Sequence, residues 1–392
     1  MQARRCAVLV IEPRERLDFD LARLTQGGSG IEMLLDSFAL AAHLDEEQTL
    51  DDDEVRILGK LSPENWVDFD ALAAEHPQEV LQSLVSKGLL LCDSPAHAKL
   101  RHADEIVRAG HWKGLSAIVQ RHTRWGGVDT LEAERRFGEE TDRPFLDRLG
   151  TPEPPVRERV ESGQRMALGK PTDSALEALI RQRVTCRNWD TSRPVSAQDF
   201  AHTLYRTFAA RAVSDQPGID VMKRAVPSAG GLHPTEAYLL VQNVEGVAPG
   251  LYHYHPIDHA LEPLGEVAAA QSQTLALRLV AGQRHFMKAH VLVVLASRFR
   301  RTFWKYRNHA KAYRAVILDA GHLSQTLYLA AAERGLAAFI TAAVNERDIE
   351  QLFGLDPMQE GVLAVSGFGW RGAEQVDEAE FDPLGSVWRN SV

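Results

Sequence analysis

An α+β protein in two parts is what the residue order of this chain points to, on three observations. Strand-like runs alternate with helical ones through the second half. A proline-rich, charged stretch breaks the pattern near the middle. Ahead of that break, helical segments gather before one short apolar strand. At 392 residues the chain exceeds what one core usually organises. Its 44% apolar and 25% charged residues are the ordinary globular mix.

The opening "MQARRCAVLVIEP" has an apolar run too short for a signal peptide and closed by Glu12 and Pro13, so it reads as a first strand. "DEEQTLDDDE" reads as a solvated surface stretch. From Glu54 to Cys92 the order is helix, helix, helix and short strand, with Pro63 and Pro77 at element starts. That order suggests a winged-helix-like domain over residues 1–150. Its third helix, within "PQEVLQSLVSKGLL", carries one Lys and one Glu rather than a basic face, which favours a peptide-docking or structural role over DNA binding.

Residues 151–170, following Gly150 in "GTPEPPVRERVESGQRMALGK", hold three prolines and little apolar periodicity and are expected to form a linker. A second domain over 171–392 then begins with "DSALEALIRQRVTCRNW". Here Leu176, Leu179 and Ile180 share one helical side, and Asp173 or Ser174 is the cap. "AYLLVQ", "GLYHYH", "HVLVVLA" and "VLAVSGFG" read as strands, and "AVILDAGHLSQTLYLAAAERGL" as the longest and most apolar helix.

A formal charge of -10 argues against general nucleic-acid binding, which needs clustered cations. Cys6, Cys92 and Cys186 are too few and scattered for a disulfide framework or a Cys-based zinc site, so a cytoplasmic location is expected. No window approaches the apolar length needed to cross a bilayer.

Two stretches carry candidate chemistry. In "RVTCR", Arg183, Thr185 and Arg187 alternate, so an extended backbone would point two guanidinium groups and a hydroxyl the same way, a geometry that suits a phosphate. A solvated basic turn explains the same spacing. In "RAVPSAGGLHPTEAYLLV", Ser228, Ala229, Gly230 and Gly231 leave the backbone bare, and Pro227 and Pro234 stiffen both sides. A tight turn before a strand would use the same letters. His233 either acts chemically or orders that turn. His253, His255 and His259 read as the wet face of a hairpin rather than a metal site, and no metal is expected. His322, inside an apolar helix, reads as a packing or dimer-interface histidine rather than a base.

Taken together, "RVTCR", "PSAGGLHPTEAYLLV", "GLYHYHP", "WKY" and "DAGHLSQTLYLAAAERGL" follow the order found in SagB-type dehydrogenases, and the chain from about Ala175 to Trp370 resembles that branch of the flavin-dependent nitroreductase superfamily. The resemblance implies a nitroreductase-like fold, a central antiparallel or mixed sheet flanked by helices, with FMN at a homodimer interface. Arg183, Thr185 and Arg187 would hold the phosphate and ribityl side. Pro227, Ser228, Ala229, Gly230 and His233 would lie against the ring or ribityl chain. Ala342 and Ala343 in "GLAAFITAAV", with Gly367 and Gly369, would approach the ring edge.

The resemblance also implies catalysis by Lys305 and Tyr306, matching the Lys-Tyr pair of azoline oxidases, with Tyr313-Arg314 as a competing local match. Oxidising an azoline needs a base, and a neighbouring ammonium favours the phenolate of a tyrosine whose free pKa is about 10. A basic surface segment accounts for the same residues. The implied function is FMN-dependent oxidation of thiazoline or oxazoline rings in a ribosomally made precursor peptide, with other synthetase subunits as further partners. Alternatives are an NAD(P)H-dependent flavin reductase acting on dehydroamino acids or small nitro or quinone compounds, and a non-catalytic peptide-binding scaffold.

Overall fold

The structure, a computed structural model, describes residues 1–136, 142–169, 172, 174–214 and 220–372. Its centre is a six-stranded sheet in the order Ala260–Glu266, Gly250–His255, Thr235–Val241, Val291–Arg298, Glu360–Gly369, Ala337–Thr341, with every neighbouring pair antiparallel. Successive side chains of a strand face opposite ways. Val291, Val293 and Leu295 therefore join one core with Phe200, Leu204, Leu323 and Leu327. Leu292, Val294 and Ala296 join a second core with Leu279 and Ile349 on the other side. Covering both faces explains why "HVLVVLA" is apolar without alternation. Each fully buried Val or Leu contributes ~1.5–3 kcal/mol.

The four strand readings of the second half hold. Two strands of the central sheet, Ala260–Glu266 and Ala337–Thr341, and a separate pair, Ala210–Val213 with Met222–Arg224, were not anticipated. The longest helix runs Ala312–Glu333, beginning before the apolar run itself. The helix Ala175–Gln182 is capped by Ser174, whose hydroxyl accepts from the Glu177 amide at 3.1 Å, while Asp173 lies outside the described residues. Its apolar side is present but open, with Leu176 and Ile180 exposed.

Toward the N-terminus, helices Asp52–Lys60, Phe69–Glu75 and Gln78–Ser86 precede the strand Leu90–Cys92, in the order expected. That strand pairs with Gln2–Arg5, which also pairs with Val67–Asp68. The opening segment is two strands, however, because Leu9–Phe19 continues through Glu12 and Pro13 as one arm of a long hairpin with Ile31–Ala41. Proline is accommodated because Leu9–Phe19 lies at a sheet edge, where its missing N–H breaks no ladder. One face of the hairpin leaves Leu17, Phe19, Ile31, Met33 and Leu35 exposed. Residues 150–169 are exposed, with one short turn of helix at Ser162–Gln164. No helix among the described residues is long and apolar enough to cross a membrane.

The N-terminal part is seated on the central sheet's surroundings through aromatic packing. Trp112 stands 4.6 Å from Phe299 and 4.7 Å from Phe303, ring centre to ring centre, and its indole N–H donates to the Met358 carbonyl at 3.0 Å. Phe299 and Phe303 belong to the helix Phe299–Lys305. The N-terminal part thus positions the helix that ends at Lys305.

Candidate active site

After the helix Ala175–Gln182 the chain runs extended beside the strand Ala337–Thr341, through a parallel bridge between Thr185 and Ala338. Val184 and Cys186 turn inward and are buried, while Arg183, Thr185 and Arg187 lie on the outer side and stay partly open. The alternation expected of "RVTCR" is present. The Thr185 hydroxyl is 3.0 Å from that of Tyr328, and the Arg183 guanidinium lies over the Tyr328 ring at 5.4 Å. Arg187 has no hydrogen-bond or ion-pair partner among the described residues. Its charge is available to an anion.

The glycine-rich turn is built around a carboxylate that sequence reasoning missed. Asp319, on the helix Ala312–Glu333, accepts from the Ser228 hydroxyl at 2.5 Å and the Ala229 amide at 3.1 Å. The Ser228 oxygen in turn accepts from the His233 amide at 2.9 Å. Asp319 is only 4% exposed. Burial raises its carboxyl pKa, against those two hydrogen bonds and nearby His322. Gly230 follows with φ 63°, a conformation that glycine enters freely.

A side chain at Gly230 would place its Cβ 2.7 Å from the Tyr306 hydroxyl and 3.1 Å from the Lys305 Nζ. The turn and the Lys-Tyr pair, widely separated in sequence, thus converge on one spot. Tyr306 caps the helix Phe299–Lys305 with non-helical angles, φ -109° and ψ 48°. That irregular end allows adjacent residues to face the same place. Tyr313 has a different fate: its hydroxyl donates to the Gln120 side chain at 2.7 Å, and burial pushes its pKa up to about 12. A phenol so hard to ionise is poorly suited to act as a base.

One face of the helix Ala312–Glu333 links the Thr185 end to a cavity, while Asp319 and the glycine turn it holds lie toward the helix's opposite face. Tyr313, Ile317, Gly321, Ser324 and Tyr328 recur at helical spacing, so they form one stripe. The first three border a cavity of about 440 Å3 that Ala320 and Ala342 also line, with small side chains over part of its wall. Tyr328 meets Thr185 at the stripe's other end. Gly321 and Tyr328 are about 10 Å apart along the axis. The cavity's remaining wall includes Gln120, Thr123 and Arg124 from the N-terminal part. Sequence reading gave no sign of these three. Arg124 is held by Glu350 at 2.6 Å and by Asp45.

Pro227 precedes the turn and is exposed. The His233 ring is buried and its pKa is lowered to about 4 by burial, with Arg224 and Arg301 adding to the effect. It is neutral at pH 7, and its amide ties the turn. Ala343 is fixed by the Gln283 side-chain amide, which donates to its carbonyl at 2.7 Å. At Gly367 a Cβ would collide with the Phe339 ring, and at Gly369 with the His290 ring. Packing within the sheet therefore accounts for both glycines. His253 bonds Glu262, His255 lies beside Asp258, and the His259 ring bonds the Tyr254 hydroxyl.

Residues 180–370 match the family described as "Nitroreductase family". Protein MJ1384 of Methanocaldococcus jannaschii, named as a nitroreductase, is 29% identical over 45% of this chain and 83% of its own. The trifolitoxin-processing protein TfxB of Rhizobium leguminosarum bv. trifolii is 31% identical over 37% of this chain and 39% of its own. The microcin B17-processing protein McbC of Escherichia coli is 32% identical over 40% of this chain and 57% of its own. The chain thus spans well under two thirds of either processing protein.

Proposed function

We propose, from the match of residues 180–370 to the nitroreductase family model, that the protein is an FMN-dependent dehydrogenase of peptide maturation, oxidising thiazoline or oxazoline rings to azoles. The observation that carries the reading is the meeting of Lys305 and Tyr306 at Gly230. Similarity to two processing proteins supports a peptide substrate.

The residues present suit the cofactor. Arg183 and Arg187, with the Thr185 hydroxyl, form a donor set fit for a phosphate. The cavity at Ala320, Gly321 and Ala342 leaves room for a flat ring, and one helix face links the two ends. Bound FMN would supply the two-electron acceptor that the oxidation needs. Tyr306 would take the proton from the azoline carbon as base, with the Lys305 ammonium beside it at the same turn. Asp319, through Ser228 and Ala229, would hold the turn against which both side chains rest. A homodimer, as a further part of this reading, would cover the exposed Leu176, Ile180, Ile317 and Leu318. The winged-helix-like N-terminal domain, residues 1–150, the linker to 170, the cytoplasmic setting, and association with other synthetase subunits complete the proposal.

The test is to purify the full chain, record its visible absorption with and without added FMN, and follow an azoline peptide by mass. Loss of two hydrogens by wild type but not by Tyr306→Phe is the expected result. A second reading, an NAD(P)H-dependent reductase, draws on the likeness to MJ1384. Rapid bleaching by NADPH with no azole formed would select it.

A further inference from the structure

The basic segment that holds the Lys-Tyr pair is larger than catalysis requires. Between positions 298 and 314 there are seven Arg or Lys and no Asp or Glu, in a chain of net charge -10. Beside the pair, Val221, Leu232, Arg298, Arg300, Arg301 and Trp304 line a cleft of about 390 Å3. Its position follows from the chain: Trp304 immediately precedes Lys305, and Leu232 immediately follows the Gly230-Gly231 turn.

The three arginines are not equivalent. Arg298 is neutralised by Glu236 at 2.7 Å. Arg301 donates to two backbone carbonyls, Leu232 at 2.5 Å and Asp220 at 2.9 Å. Carbonyls aim a guanidinium without cancelling its charge. Burial and neighbouring Arg298 hold the Arg301 pKa below its usual value. Arg300 is exposed and has no hydrogen-bond or ion-pair partner among the described residues. Among the described residues, Asp220 is the one carboxylate in the lining, and no ion pair joins it to these arginines. Trp304, 52% exposed, adds an open aromatic surface beside Leu232 and Val221.

We propose that this cleft binds an acidic stretch of the peptide substrate, Asp or Glu alternating with apolar side chains, and so selects which ring is offered to Lys305 and Tyr306. The proposal rests on the peptide-dehydrogenase reading for its substrate. Arg300 and Arg301 would receive the carboxylates by charge-assisted hydrogen bonds. Trp304, Val221 and Leu232 would cover the apolar side chains. The net negative charge of the protein would disfavour such a peptide over much of the surface, while this basic edge would attract it.

The experiment uses the full chain and fluorescein-labelled peptides of equal length in which Leu alternates with Glu, Gln or Lys, with binding read by anisotropy. The Glu peptide should bind about tenfold or more tightly than the Gln peptide, the scale of a charge-assisted bond. It should weaken with salt. Arg300→Glu should abolish that preference, and because the Arg300 side chain makes no bond among the described residues its circular dichroism should match wild type. Arg301→Lys, which keeps the charge but loses the fork, should show a partial loss. Equal binding of the Glu and Gln peptides, or an unchanged preference in Arg300→Glu, overturns the proposal. So does tighter binding of a single-stranded oligonucleotide of matched charge. Binding needs neither flavin nor turnover. A colourless protein that prefers the Glu peptide would defeat the flavin reading alone, and a yellow one that ignores it would defeat this inference alone.

Discussion

Gly230 is where the smallest change has the most specific consequence. Alanine there would meet the flexible ends of Tyr306 and Lys305, at 2.7 and 3.1 Å, and would hold a positive φ as well. The backbone term costs about 1 kcal/mol. Gly230→Ala should therefore fold with a slightly lower melting temperature yet oxidise an azoline peptide at least tenfold more slowly. Wild-type turnover in that variant would show that the pair is not the machinery. His233 gives a pH prediction at the same scale. Its folded pKa, about 4, lies below the ordinary 6.5, so its contribution is complete above pH 6.5 and is lost as pH falls toward 4. Wild type should lose about 1–3 kcal/mol more over that window than His233→Asn, measured by urea unfolding at stepped pH. The glycine turn was legible because only small residues fill it. Asp319 was not, because a single carboxylate inside "AVILDAGHL" looks like any interruption of an apolar helix until its partners are brought to it.

Helices and strands were legible in proportion to how many of their side chains face a core. The strand Val291–Arg298, buried on both faces, was plain. Ala260–Glu266, largely exposed at one edge of the sheet, and Ala337–Thr341, only five residues long at the other, were not. A short strand gives few periods to read, and an exposed edge strand loses the apolar alternation that marks a buried one. The helix Phe299–Lys305 carries the next prediction. Its Phe299 and Phe303 pack on Trp112, which is 5% exposed. Trp112→Ala should cost about 3–5 kcal/mol by opening a cavity under that helix. The loss should be visible in urea unfolding. Near-ultraviolet circular dichroism, which reads aromatic packing, should change with far-ultraviolet signal kept. Unaltered near-ultraviolet dichroism would mean that the N-terminal part does not set the helix's position.

Across the whole molecule, the N-terminal part supplies wall to the cavity that the second half opens, and no sequence motif announced that. Contacts made by Gln120, Thr123 and Arg124 depend on where two separately legible halves meet, which residue patterns within either half do not encode. The joint is tied by a buried ion pair: Arg124 and Glu350, each 4% exposed at the side chain, bonded at 2.6 Å. Burial pushes the Glu350 pKa up to about 7 despite that partner. Because this folded value exceeds the ordinary 4.5, the carboxyl favours folding fully below pH 4.5 and loses that contribution as pH rises through 7. Removing one partner leaves the other charge stranded. Arg124→Met should cost about 3–5 kcal/mol, whereas Arg124→Met with Glu350→Leu should recover much of that loss. The cycle is read by urea unfolding at pH 8, where the carboxylate is ionised. If the two changes simply add, the pair does not couple the two parts, and the cavity's N-terminal wall must be held by Trp112 and its aromatic neighbours instead.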